Sequence, residues 1–200
     1  MKIKVGVFGA RRGMSMIRIY LNHPDAELVA VCDKYSPLLE DVKLEAEKVG
    51  KTVALFTNFE DFFNHDMDAV VLANYATEHV PYAIRLLESG RHVLSEVPAS
   101  ETMAQAVELI EAVEQSGLVY MFGENVSYYP VAFEMQRLYE KGDIGEIMYA
   151  QGEYIHDSAS IAAQITYGER HHWRNRSYST FYCTHSIGPI LTITGRRPVQ

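Results

Sequence analysis

The sequence predicts an α/β fold in which a doubly wound parallel sheet is followed by an apparently incomplete α+β domain with an open, mostly antiparallel sheet. Short apolar strand candidates alternate with helical patterns over residues 3–122, as in βαβ units. A glycine-rich turn joins the first strand candidate to the first helix. The alternation stops after Gly123. We therefore expect one domain at residues 1–122 and the first part of another at residues 123–200.

Six strand candidates come first, and each is short and rich in apolar residues. The fourth, AVVLA, is apolar throughout, as expected of a strand that is covered on both faces. Six parallel strands are what a complete dinucleotide-binding (Rossmann) sheet contains. The candidates are residues 3–8, 27–32, 53–56, 69–73, 92–95 and 118–122.

Four helices are predicted between these strands, at residues 14–22, 37–49, 80–89 and 103–115. The last has a capping-box pattern at Thr102 and Gln105, and Gly117 ends it. This helix is predicted to be amphipathic, with Met103, Val107, Ile110 and Val113 on its apolar face.

After Gly123 the sequence predicts a helix at residues 131–141, a long strand at 146–155 and a helical stretch at 185–194. A polar stretch rich in His and Arg precedes that last helix. One strand cannot form a sheet, so we expect a second domain that is unfinished at Gln200, with an exposed sheet edge and a tendency to associate.

Composition excludes several classes of protein. The 200 residues carry a formal net charge of -8 and no Lys/Arg cluster, which argues against nucleic-acid binding. No apolar run approaches the ~20 residues of a membrane span, and we expect no signal peptide, because the N-terminal residues lack its apolar region and cleavage site. Cys32 and Cys183 lie far apart without metal-type spacing, as expected of reduced thiols in a cytoplasmic protein.

The glycine turn predicts a pyrophosphate site, because backbone N–H groups at a helix start bind phosphate. The match is imperfect, since Arg11 and Met14 stand where the second and third glycines are usual. A tight turn without a ligand is the alternative. The residues predicted to contact the cofactor here are Gly9, Ala10, Arg11, Arg12 and Gly13.

Asp33 ends the second strand, about twenty residues after the turn, where a carboxylate accepts both ribose hydroxyls. The same charge repels a 2′-phosphate, so we expect NAD rather than NADP. Lys34, the next residue, leaves NADP open because it could pair with a phosphate.

Polar residues also follow the fourth and fifth strands, where ligands of open α/β sheets bind. Asn74, Thr77 and His79 lie after the fourth strand, and Glu96 and Val97 after the fifth. We expect all five near the dinucleotide. Ordinary capping of the next helix by Thr77 is the alternative.

The segment HVLSEVPAS, which follows YAIRLLESGR, resembles the segment ending in Glu-Lys-Pro of the Gfo/Idh/MocA oxidoreductases. The resemblance covers essentially the whole chain and implies that Asp33, Thr77–His79 and Glu96 belong to a cofactor site. Two catalytic positions depart from the family. Val97 replaces its Lys, and Phe181 replaces the Asp that stands four residues before the His, here His185. Neither replacement can transfer a proton.

A narrower resemblance accounts for those departures. Several motifs together are similar to the NAD-dependent glycosidases typified by α-N-acetylgalactosaminidase. The motifs are Glu96-Val97-Pro98-Ala99, Glu124-Asn125, Tyr154-x-His156-Asp157, Trp173-Arg174 and Tyr182-x-Thr184-His185-x-x-Gly188-Pro189.

The narrower resemblance implies a redox-neutral enzyme that acts on a sugar or glycoside by transient oxidation and elimination, as a homo-oligomer when full length. It implies Tyr182 as the base and His185 as the acid for the leaving group. Tyr154 and Arg174 would bind substrate beside them, and Asn125 would contact NAD.

Other interpretations stay open at this point. Tyr182 and His185 share a helix face, which also suits a hydrogen-bonded pair packed at a domain interface. A net sugar or polyol dehydrogenase and a non-catalytic dinucleotide-binding module are the alternative functions. No metal site is expected, because His156, Asp157, His171–His172 and His185 match no standard zinc spacing.

Overall fold

A computed structural model describes residues 1–178 and 180–197 of the chain. The chain divides into two compact units, the first ending at Gly123 and the second beginning at Glu124. Each unit is described separately below. The predicted end of the second domain, Gln200, lies outside the described residues.

The first unit contains a six-stranded sheet in which every neighbouring pair is parallel, with strand order β3-β2-β1-β4-β5-β6. This order reverses direction between β1 and β4, which is the switch point of a doubly wound fold. The predicted Rossmann-type sheet is therefore confirmed. Its strands are β1 (Ile3–Phe8), β2 (Ala26–Cys32), β3 (Ala54–Phe56), β4 (Ala69–Leu72), β5 (His92–Ser95) and β6 (Tyr120–Phe122).

The helices of the first unit agree with the predicted pattern except at two places. The first helix begins at Ala10 rather than at residue 14, so most of the glycine turn is helical. A short helix that the sequence did not predict follows Asn58, whose side chain accepts from the N–H groups of Glu60 and Asp61. The helices are α1 (Ala10–Asn22), α2 (Ser36–Lys48), α3 (Phe59–Phe63), α4 (His79–Glu88) and α5 (Met103–Ser116).

Two apolar clusters form the core of the first unit, one on each face of the sheet. Alternation along β4 shows this directly, because Val70 and Leu72 belong to one cluster and Val71 to the other. The apolar run AVVL is thus buried on both faces, as predicted.

The apolar face predicted for α5 is not the face that packs. Leu109 is buried and Val113 packs on the core, but Met103, Val107 and Ile110 are 81%, 53% and 57% exposed. The helix carries two apolar stripes, and both have helical spacing. Only the docking of α5 decides which stripe is buried.

The second unit consists of helices joined by long irregular segments, over the described residues 124–178 and 180–197. The strand predicted at residues 146–155 is not formed, because no other extended segment in that part of the chain pairs with it. Instead, the segment approaches the last helix so closely that a Cβ on Gly152 would lie 2.1 Å from the carbonyl oxygen of Ser186. The longer helices are α6 (Pro130–Lys141), α7 (Ala162–Thr166) and α8 (Cys183–Thr194).

Candidate functional site

The glycine turn is built so that α1 starts directly at the carboxyl edge of the sheet. Gly9 has a φ of 100°, and a Cβ there would lie 2.3 Å from the carbonyl group of Ala73. A side chain is therefore excluded both by conformation and by space. Gly13 lies within α1 against Val7. The amino end of α1 thus lies at the edge where β1 and β4 end.

Asp33 is tied to this turn through its carboxylate. Oδ2 accepts from the backbone N–H of Ala10 at 2.8 Å, and Oδ1 accepts from that of Tyr35 at 2.9 Å. These bonds fix the carboxylate beside the start of α1 while each oxygen keeps a lone pair. Its neighbour Lys34 places Nζ 4.4 Å from the centre of the Tyr75 ring.

An ion pair that the sequence did not predict joins the turn to the end of β5. Arg12 Nε lies 3.0 Å from Oε1 of Glu96, whose side chain is only 6% exposed. Oε2 of Glu96 also accepts from the backbone N–H of Val97 at 3.3 Å. Glu96 therefore holds together the glycine turn and the loop after β5, which lie at the same edge of the sheet. Arg11 and Arg12 are both exposed.

The loop after β4 presents an unsatisfied polar atom. Asn74 donates to Oε2 of Glu78 at 3.3 Å, whereas its Oδ1 is buried without a hydrogen-bond partner among the described residues. Thr77 lies in a 3-10 turn and caps no helix, because α4 begins at His79 with no side-chain cap. The capping alternative for Thr77 is therefore wrong.

His79 is almost fully buried beneath these loops. It is 1% exposed, and Nδ1 lies 3.1 Å from the carbonyl oxygen of Pro98. Burial lowers the pKa of His79, because the charged imidazolium loses its hydration there. This histidine connects the loops after β4 and β5. Val97 is buried as well.

The second unit has its own polar cluster, centred on His185 in the first turn of α8. Nδ1 of His185 lies 2.8 and 2.9 Å from the two carboxylate oxygens of Glu124, and both side chains are nearly buried. Oε1 of Glu124 also accepts from the backbone N–H of Val126 at 2.8 Å. The sequence motif contained Glu124, but no pattern linked it to a histidine 61 residues away.

Aromatic rings surround His185. The ring of Tyr154 lies 4.5 Å from the imidazole, and that of Tyr182 lies 5.6 Å away, measured between centroids. Tyr154 also stacks on Tyr182 at 6.3 Å and meets His156 edge-on at 4.4 Å. The structure therefore brings Tyr154, Tyr182 and His185 together.

The remaining predicted residues of this unit lie in other local contacts. Arg174 places its guanidinium 4.4 Å from the Trp173 ring, a cation–π contact. Asn125 is exposed, and its amide donates to the hydroxyl of Tyr129 at 3.4 Å. Within the described residues, neither side chain forms a hydrogen bond with Tyr182 or His185.

Over residues 1–178 and 180–197, no group of three or more His, Cys, Asp or Glu side chains is arranged to hold a metal ion. Nor is any helix in that part long and apolar enough to cross a bilayer.

Comparison with known proteins places these features in a family. The sequence profile of the Gfo/Idh/MocA family, described as an oxidoreductase family with an NAD-binding Rossmann fold, matches residues 3–124. A glycosyl hydrolase family 109 protein of Shewanella sp. (strain ANA-3) is 27% identical over 94% of this chain. An alpha-N-acetylgalactosaminidase of Shewanella oneidensis is 26% identical over the same share. The chain spans 43% of the length of both curated relatives.

Solved structures agree on the fold. Scyllo-inositol dehydrogenase from Lactobacillus casei, with bound NAD(H) and scyllo-inositol, superimposes with a TM-score of 0.81 at 22% identity. The match covers 98% of this chain and 57% of that one. At this identity the likeness establishes the fold alone.

Proposed function

The chain belongs to the Gfo/Idh/MocA oxidoreductase family with an NAD-binding Rossmann fold, and from this premise we propose that it forms part of an NAD-dependent, glycosidase-like enzyme. The substrate would be a sugar or glycoside. One observation carries the proposal: a carboxylate-bound His185 stands with Tyr182 and Tyr154, while the family's lysine position holds Val97. Acid–base groups are thus present without the residue that a net dehydrogenase of this family uses.

The described residues fit a dinucleotide. Gly9 lets the carbonyl group of Ala73 approach the glycine turn closely, and α1 starts at that edge. The orphaned Oδ1 of Asn74 offers an acceptor for a ligand hydroxyl or amide there. We assign Gly9–Gly13, Asp33, Asn74 and Thr77 to cofactor binding, with His79, Glu96 and Val97 supporting the loops. Bound NAD would supply reversible oxidation of a ring hydroxyl, which makes the neighbouring C–H acidic.

NAD is proposed over NADP because of Asp33. Its carboxylate is fixed by two backbone N–H groups and keeps lone pairs that suit ribose hydroxyls. A 2′-phosphate at the same place would meet that negative charge.

Tyr182 and His185 would handle the protons of the reaction. Tyr182 as base removes the acidified ring proton. His185 as acid delivers a proton to the leaving oxygen as the glycosidic C–O bond breaks. Water then adds to the sugar and the ketone is reduced again, so the net reaction is hydrolysis.

Tyr154 and Arg174 are proposed to bind the substrate. Tyr154 lies against the imidazole of His185, where a phenol can orient a sugar hydroxyl. Arg174 places its guanidinium over the ring of Trp173, and its charged N–H groups can donate to sugar hydroxyls. Asn125 stays a proposed cofactor contact.

The test uses the protein with an aryl glycoside deuterated at the carbon next to the oxidised one. We expect aglycone release without accumulation of NADH, and exchange of the label with solvent. Retention of deuterium in the product contradicts the elimination. Steady NADH formation from a free sugar would instead establish a net dehydrogenase. NAD binding without turnover of any sugar would establish a binding module.

A further inference from the structure

We propose that Glu124 is the positioning residue of His185, which holds the hydrogen on Nδ1 and so reserves Nε2 for the proton that reaches the substrate. The inference deepens the proposed function and rests on it for the role of Nε2. The tautomer itself can be measured without any activity.

The contact between the two side chains is close and shielded from solvent. Both oxygens of Glu124 lie within 2.9 Å of Nδ1, and the His185 and Glu124 side chains are only 6% and 9% exposed. A carboxylate offers lone pairs and no hydrogen, so Nδ1 must donate. In the neutral imidazole Nε2 is then the acceptor, and after protonation it becomes the second donor.

The carboxylate is held in place independently of the histidine. Oε1 accepts from the backbone N–H of Val126, which directs the side chain from its own loop. On α8, Gly188 lies one turn after His185, and a Cβ there would come within 2.6 Å of Ser127 Oγ and 3.7 Å of Glu124 Cγ. The absence of a side chain at Gly188 therefore lets the loop of Glu124 lie against the histidine face of α8.

Glu124 supplies a carboxylate to His185 from a different segment, on the Nδ1 side of the ring. A carboxylate at Nδ1 orients an imidazole and stabilises its charged form, as in other acid–base histidines.

The first experiment measures the tautomer by ¹⁵N NMR of histidine-labelled protein near pH 8.5, where an ordinary imidazole is neutral. The His185 signals are assigned by their loss in His185→Gln. We expect the hydrogen on Nδ1 in the wild type. In Glu124→Gln that fraction should fall by at least half, because an amide can donate as well as accept. Glu124→Asp should retain it, and Glu134→Gln, which removes an exposed carboxylate of α6, should change nothing.

The second experiment separates positioning from simple support of the fold. Glu124→Gln should lower kcat on a glycoside with a poor leaving group by about 10²-fold, with KM within about 2-fold. With a highly activated aryl leaving group, which needs no proton, the loss should shrink to a few-fold. Glu124→Asp should recover part of the rate.

Several results would overturn the inference. A wild-type His185 with its hydrogen on Nε2 does so alone, even if Glu124→Gln does not fold. Equal loss of kcat with both leaving groups would reduce Glu124 to structural support. If the wild type lacks glycosidase activity but the tautomer behaves as expected, the proposed function fails while the positioning of His185 stands.

Discussion

The carboxyl edge of the sheet in the first unit, where we propose that NAD binds, and the His185 cluster of the second unit are built by opposite means. At the first, the backbone makes the site: Gly9 admits the close approach, α1 offers N–H groups, and Asp33 is held by main-chain donors. At the second, side chains make the site, through Glu124 and His185. A site made by backbone groups tolerates a side chain such as that of Arg11 in the turn. Residues of most types offer the same main-chain N–H and C=O groups. A side-chain site changes its chemistry with each substitution.

The most direct test of this comparison removes an acid–base side chain and leaves the backbone site unchanged. His185→Ala should lower kcat for hydrolysis of an unactivated glycoside by about 10³-fold, since general acid catalysis contributes on that scale. NAD affinity, measured by calorimetry, should be unchanged. The exposed His171→Ala serves as control. Equal activity in His185→Ala would remove this residue from the mechanism.

The backbone site is tested by adding one methyl group. Gly9→Ala forces a Cβ into the carbonyl of Ala73 at positive φ and should lower the free energy of unfolding by about 2 kcal/mol or more. NAD binding should be lost with it. Gly50→Ala is the matched control, because Gly50 also has positive φ but no atom within 4 Å of the added Cβ. Denaturant titration measures the free energy of unfolding of both variants. Similar losses in the two variants would mean that the close approach of Ala73 to Gly9 is unimportant.

Asp33 contributes a side-chain charge to the backbone site. Asp33→Asn should weaken NAD binding by about 10-fold, which is ~1.4 kcal/mol, and shift the preference toward NADP. Asp41→Asn on α2 is the control for general loss of charge. Calorimetric titration with both cofactors gives the ratio. An unchanged ratio would assign cofactor choice to another residue.

The smallest expected effect concerns His79, which supports the backbone site from below. Its folded pKa lies below the ordinary 6.5, so the unfolded chain binds a proton that the folded chain resists. The stability contributed by neutral His79 is therefore complete above pH 6.5 and is lost as pH falls toward the folded pKa. The free energy of unfolding, measured from pH 8 to 5, should fall less steeply in His79→Gln. Identical slopes would show that His79 is not the responsible group.

Local sequence was sufficient for the sheet of the first unit. AVVL reads as a doubly buried strand, and β4 is one, because a strand between two helical layers needs apolar residues on both faces. The Gfo/Idh/MocA resemblance, whose motifs lie at strand ends, was also confirmed. The start of α1 was predicted at residue 14 and lies at Ala10, because the helix begins directly after Gly9.

What the sequence determined by itself was the alternation of strands and helices, the family, and the residue types available for chemistry. The tertiary structure decided which apolar stripe of α5 is buried, that residues 146–155 form no strand, and which distant charges meet. Arg12 pairs with Glu96, and Glu124 with His185, across 84 and 61 residues of sequence. Periodicity and capping act between near neighbours, whereas such pairs form only after the packing of whole elements has brought their ends together.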